Sequence, residues 1–114
     1  MDFKTARQEL TRQALPQNQT ADTFLGRLEQ GQPPVPGQVT SLLLALRAVF
    51  DNLREATALD REFAYALHRL AYNSRRCYEQ GVQTGVEWPP LLDEDLDRIA
   101  IAVNQIFANP ASDV

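Results

Sequence analysis

The sequence predicts an all-α fold, a single-domain bundle of four to five helices, and three observations support this. Apolar residues recur at steps of three and four in several segments, which is the spacing of one face of an α-helix. No segment shows the alternation of apolar and polar residues that indicates a half-buried strand. The 114 residues, 44% of them hydrophobic, suffice for one core. We therefore treat residues 1–114 as one helical domain.

Two helices are predicted in the N-terminal third of the chain. The first spans about residues 3–15, carries a narrow apolar stripe, and has Asp2 placed as its N-cap. The second is short, spans about residues 21–30, and has Thr20 as its N-cap and Gly31 as its terminator.

The third helix, at about residues 38–55, has the clearest apolar pattern in the chain. It follows a loop at residues 31–37, where three prolines remove amide donors and favour extended backbone. Leu46 lies in the middle of the pattern and is predicted to be buried. Because apolar residues extend beyond one face, we expect this helix to lie centrally, and the surplus apolar surface favours self-association.

Two further helices are predicted after a second loop. The fourth spans about residues 61–80, with Asp60 as its N-cap and Gly81 at its end. The fifth begins at Asp93 and stops before Asn109-Pro110, because the residue before a proline disfavours helical backbone. We expect residues 110–114 to form a frayed tail.

The net charge and the cysteine content limit the classes of function and the cellular compartments that the sequence allows. The net charge of −4 and the pI near 4.9 disfavour a general affinity for nucleic acid, which requires a positive surface. Cys77 is the single cysteine, which excludes an internal disulfide and is typical of a reducing compartment. The N-terminal residues lack the apolar region of a secretory signal, and no apolar run approaches the roughly 20 residues that span a bilayer. We expect a cytoplasmic protein.

The sequence predicts no catalytic, cofactor or metal site. His68 and Cys77 are nine residues apart on one predicted helix, which separates them by about 180° around its axis. The acidic residues at positions 93, 95 and 97 match the first ligands of a calcium loop, but Arg98 stands where that loop needs glycine and Asn104 where it needs glutamate. Neither glycine-rich phosphate-binding pattern is present.

The outer face of the fourth helix carries the strongest signal for binding. Tyrosine and arginine alternate there at helical spacing, and both types are enriched at interface hot spots. This predicted Tyr-Arg stripe consists of Tyr65, Arg69, Tyr72 and Arg76, with His68, Arg75 and Tyr78 at its margins. We predict that these residues bind a protein partner, or a second copy of the chain. In an alternative interpretation, the stripe pairs internally with the acidic residues 93–97.

A second predicted surface combines the proline-rich residues 32–37 with residues 86–92. Extended proline segments beside an aromatic residue can dock on partners at low entropic cost. Trp88 is accordingly a candidate partner-binding residue. The alternative is that Trp88 packs against the end of the bundle and closes it.

Two segments resemble a group of short, uncharacterised helical proteins from cyanobacteria. They run from Pro33 to Leu46 (Pro-Pro-Val-Pro-Gly-Gln-Val-Thr-Ser-Leu-Leu-Leu-Ala-Leu) and from Trp88 to Leu96 (Trp-Pro-Pro-Leu-Leu-Asp-Glu-Asp-Leu). Some members carry the name dethiobiotin synthetase. Such an ATP-dependent enzyme would need a glycine-rich phosphate loop, which this sequence lacks. The resemblance implies a bacterial cytoplasmic setting.

These observations favour a non-enzymatic interaction or adaptor module. The alternative is a helical bundle that binds a small ligand or pigment in an apolar cavity gated by Trp88 and Tyr72. A third hypothesis is nucleic-acid binding through Arg69, Arg75 and Arg76, which the acidic composition disfavours.

Overall fold

Helices account for the regular structure throughout residues 1–108, the part of the chain that the computed structural model describes. This confirms the predicted all-α class. No strand occurs in these residues, and residues 110–114, predicted as a frayed tail, lie outside them. The five helices are α1 (Phe3–Ala14), α2 (Phe24–Glu29), α3 (Gln38–Asn52), α4 (Arg61–His68, continued by Arg69–Asn73 and Ser74–Gln83) and α5 (Leu92–Ala108).

Helix α3 lies centrally, as its broad apolar pattern predicts. It packs against α1 on one side and α5 on the other, and α1 also contacts α2 and the first part of α4. Leu42, Leu46 and Val49 of α3 are fully buried in this core. Within residues 1–108, no helix is both long enough and apolar enough to cross a membrane.

Three predicted helix boundaries are wrong by several residues. Helix α2 begins at Phe24 with Thr23 as its N-cap, because the Thr20 carbonyl accepts hydrogen bonds from the backbone and hydroxyl of Thr23. Helix α3 ends at Asn52, three residues before the predicted end. Helix α4 continues through Gly81 to Gln83, because Gly81 is helical and buried there and does not act as a terminator.

A buried glutamine connects the first three helices. Gln13 of α1 is 4% exposed, and its Oε1 accepts hydrogen bonds from the Phe24 amide (2.6 Å) and from Gln38 Nε2 (3.0 Å). Its Nε2 donates to Glu9 at 2.9 Å. The apolar periodicity gave no signal for this contact, since a buried polar group is stable only when its partners are in place.

Asp60 caps α4 and ties it to α1. Its Oδ2 accepts from Arg7 at 2.7 Å and from the Phe63 amide at 3.1 Å. The hydrogen bond from Arg7, followed by that from Phe63, lowers the pKa of Asp60 below its ordinary value of 3.8.

The Arg7→Gln variant should therefore raise the pKa of Asp60 toward its ordinary value, as measured by NMR titration of the carboxyl carbon. Because the folded pKa is the lower one, the contribution of Asp60 to stability is complete above pH 3.8 and is lost as the pH falls through the folded pKa. In the control variant Arg12→Gln, which affects a contact to Glu9, the pKa of Asp60 should stay where it is. An unchanged pKa in Arg7→Gln would contradict this account.

Candidate functional site

Four side chains of the predicted binding surface lie exposed on one helix, α4. Tyr65 and Tyr72 are 48% and 50% exposed. The His68 ring stacks on Tyr72 with 5.2 Å between centroids and 17° between planes. Arg76 donates to the Tyr72 hydroxyl at 3.2 Å and lies 5.8 Å from its ring. We call Tyr65, His68, Tyr72 and Arg76 the aromatic-arginine face.

The prediction that Arg69 faces solvent with this surface is wrong. Arg69 is 7% exposed, and its Nε donates to the Ala14 carbonyl at 2.6 Å. Its Nη2 lies 3.5 Å from Gln19 Oε1 and 3.6 Å from a Glu29 carboxylate oxygen. Ala14 ends α1, where carbonyls lack partners within the helix and where positive charge is favoured. The buried guanidinium supplies both the donor and the charge.

A π-helical turn at Arg69–Asn73 lies within the predicted stripe. Within it the Ser74 amide donates to the carbonyl of Arg69, five residues earlier, and the Ser74 hydroxyl donates to the Leu70 carbonyl. The turn interrupts the 3.6-residue period from which the stripe was predicted. The Arg69 amide still donates to the Tyr65 carbonyl in the α-helical pattern, so the inward packing of Arg69 follows from its contact with the end of α1, while Tyr65 and Tyr72 remain outside. Such turns occur frequently at functional sites.

Arg75 pairs internally, as the alternative interpretation of the stripe proposed. Its two terminal nitrogens contact Asp93 at 2.6 Å and Asp97 at 2.8 Å. The same guanidinium also donates to the Asp93 carbonyl at 3.1 Å. The acidic start of α5 thus serves to dock α4.

Only Arg76 remains of the three arginines assigned to nucleic-acid binding. Arg69 is buried and Arg75 is neutralised by two aspartates. Arg76 is exposed, and it belongs to none of the ion pairs formed among residues 1–108.

Trp88 packs against the end of α4, the closing role that the sequence left as an alternative. Its indole N–H donates to the Tyr78 carbonyl at 3.0 Å, and the two rings stack with 6.0 Å between centroids. Gly81 accommodates the indole, since a Cβ at that position would lie 2.5 Å from the ring. Tyr72 instead stacks on His68 and accepts a hydrogen bond from Arg76, and the ring contacts within residues 1–108 include none between Trp88 and Tyr72.

Two of the surface grooves contain residues that the sequence singles out, the proline segments and Cys77. One, of about 250 Å³, brings the two proline segments together, with Pro34 and Val35 facing Pro89 and Leu91. The other, of about 350 Å³, lies between α2 and the last turns of α4 and includes Cys77. Burial raises the pKa of the Cys77 thiol, which disfavours a reactive thiolate. Within the described residues, no three His, Cys, Asp or Glu side chains group so that they could hold a metal ion.

Comparisons of the chain with models of protein families, with curated proteins and with solved structures gave no match. The resemblance to cyanobacterial proteins at residues 33–46 and 88–96 therefore stays a prediction.

Proposed function

We propose that the protein is a non-enzymatic interaction module of a bacterial cytoplasm, and that it binds a protein partner through the aromatic-arginine face. The observation that carries the proposal is the pair of half-exposed tyrosines, Tyr65 and Tyr72, the second of which contacts Arg76, an arginine that forms no ion pair within residues 1–108. Tyrosine and arginine dominate the binding energy of many interfaces because they bury a large area and keep their polar ends hydrogen-bonded.

The stacked arrangement supports binding because it reduces the entropy lost on association. His68 stacks on Tyr72, and Arg76 is held against the same ring by a hydrogen bond. Side chains already restrained in the free protein lose less conformational freedom when a partner covers them. The part of the face from His68 to Arg76, about two turns of α4, is consequently preorganised.

The charge of the face defines the partner's chemistry. Arg76 can donate to a carboxylate, and its planar guanidinium suits bidentate contact. The exposed rings of Tyr72, next to Arg76, and of Tyr65, farther along the helix, require apolar or aromatic surface on the partner. We therefore propose a partner that presents an aspartate or glutamate surrounded by apolar side chains.

Photo-crosslinking from position 65 tests this proposal. With p-benzoylphenylalanine in place of Tyr65, the protein should form one dominant adduct in a lysate of its native host. An added Arg76→Glu substitution should weaken formation of this adduct by about 10- to 100-fold, the factor for one charge-assisted hydrogen bond. The matched Arg47→Glu substitution, at an exposed arginine of α3, should leave it unchanged.

The same crosslinker at Leu44 provides the positional control. Leu44 is 59% exposed on α3 and lies outside the aromatic-arginine face. Equal adducts from positions 44 and 65 would contradict the proposal that the aromatic-arginine face binds the partner. So would an adduct that Arg76→Glu does not weaken, provided that the circular dichroism shows an unchanged helical content. An adduct of twice the chain mass would show that the partner is a second copy of this chain and not a different protein.

A further inference from the structure

The groove between α2 and the end of α4 has an apolar floor and polar rims. Leu28, Cys77 and Val86 contribute the apolar part, while Glu29, Gln30 and Gln80 contribute carboxylate and amide groups. Its volume of about 350 Å³ lies within the usual range for sites that bind small organic molecules. We call it the α2–α4 groove.

Two glycines shape this groove. Gly31 adopts left-handed backbone with φ of 73° and adds no side chain where Val86 approaches. Gly81 forms part of the wall and is backed by the ring of Trp88. The Val86 amide donates to the Gly81 carbonyl at 2.8 Å, which fixes the loop that closes the groove.

The charge inside the α2–α4 groove is negative. Among the described residues that line it, Glu29 alone is charged. Its cationic neighbour Arg69 lies 3.6 Å away, farther than the 2.6 Å of the pair between Arg75 and Asp93, and does not line the groove. The Arg69 side chain is 9% exposed, and its guanidinium also donates to the Ala14 carbonyl. Glu29 therefore keeps a carboxylate that can receive a second cation.

The Cys77 thiol lies close enough to Glu29 for the charge of that carboxylate to act on its pKa. Burial contributes most to its raised pKa, followed by the charge of Glu29, against which Arg69 and Arg76 have smaller opposing effects. Because Glu29 is the charged residue among the described residues that line the groove, its carboxylate favours a positively charged ligand over a neutral or negative one.

We propose that the α2–α4 groove binds a small organic cation, with an ammonium group against Glu29 and an apolar body against Leu28, Cys77 and Val86. The amide oxygens of Gln30 and Gln80 offer further acceptors for the N–H groups of a primary ammonium. This site is separate from the aromatic-arginine face, so either proposal can fail without the other.

The chain contains one cysteine, and this makes the groove directly testable. The rate at which methyl methanethiosulfonate modifies Cys77 is measured at pH 8 in the presence of hexylammonium, hexanol or hexanoate. All three share a six-carbon chain and differ in charge. Hexylammonium should slow the modification at about three- to fivefold lower concentration than hexanol, the factor expected for a partly exposed ion pair. Hexanoate should protect least.

Two glutamate variants distinguish an effect of the Glu29 carboxylate in the groove from an effect of the protein's net charge. Glu29→Gln should make hexylammonium and hexanol equally protective. Glu79→Gln makes the same change of charge on α4, outside the groove, and should retain the preference for the cation. Val86→Phe keeps the pair between Glu29 and Arg69 but fills the groove, so hexylammonium should lose its protection even if Glu29→Gln destabilises the fold.

Equal protection by hexylammonium and hexanol in the unaltered protein would overturn the proposal, as would no protection by either. Loss of the preference in Glu79→Gln to the same extent as in Glu29→Gln would also overturn it, because a general effect of net charge would then suffice. The fluorescence of Trp88, the single tryptophan, provides a second readout because its ring backs Gly81 in the groove wall.

Discussion

Replacing Leu46 by alanine should lower the free energy of unfolding by about 2–5 kcal/mol, a large share of the stability of a domain of this size. Leu46 is fully buried in α3, which packs between α1 and α5. Truncation removes apolar contacts and leaves a cavity, because the neighbouring helices can only partly close the space. Urea unfolding followed by circular dichroism measures the loss.

Leu44 supplies the control on the same helix. It is 59% exposed, so Leu44→Ala should change the free energy of unfolding by no more than about 0.5 kcal/mol. Both substitutions have the same effect on helix propensity, and the difference between them therefore measures burial. Similar losses for Leu44→Ala and Leu46→Ala would contradict the orientation of α3.

The burial of Leu46 could be predicted because α3 repeats one signal many times. Its apolar residues recur over four turns, and a change of orientation would expose most of them at once. The helix ends were predicted less well, since they depend on single contacts. Helix α2 begins at Phe24 and not near Ala21 because of the turn that Thr20 and Thr23 form together.

Gln13 shows a feature that the apolar pattern could not reveal. Glutamine is usually exposed. The burial of Gln13 is favourable because its side chain accepts hydrogen bonds from the Phe24 amide and the Gln38 side chain. These partners lie 11 and 25 residues away along the chain. These contacts form only when the chain folds, so local sequence patterns do not predict them.

Only part of the candidate site could be predicted, because some of its contacts also join residues that are distant in the sequence. Tyr65 and Tyr72 lie exposed, as helical spacing predicts. Arg69 belongs to the same spacing but packs inward, because the end of α1 requires a donor. For Arg75, the sequence supplied both a free and a paired interpretation, and distances to Asp93 and Asp97 were needed to distinguish them.

Replacing Gly26 by alanine should destabilise the protein by about 3 kcal/mol, the upper part of the usual range for overpacking. A Cβ at Gly26 would lie 2.0 Å from the Thr20 carbonyl oxygen and 2.7 Å from the Thr23 hydroxyl oxygen. The first of these is a backbone atom, so relief requires movement of the turn that caps α2. Helix propensity alone gives the opposite sign, since alanine is favoured over glycine by about 1 kcal/mol in a helix interior.

Gly37→Ala separates this steric effect from backbone strain. Gly37 has φ of 82°, and nothing lies within 4 Å of a Cβ built there, so alanine should cost only the strain of left-handed backbone, about 1–2 kcal/mol. Gly26→Ala should exceed that loss and should also speed hydrogen exchange at the amide of residue 26, which the Thr23 side chain caps. A stabilised or unchanged Gly26→Ala protein would show that the turn at Thr20 does not approach α2 this closely, and the Thr23 cap would have to be reassigned.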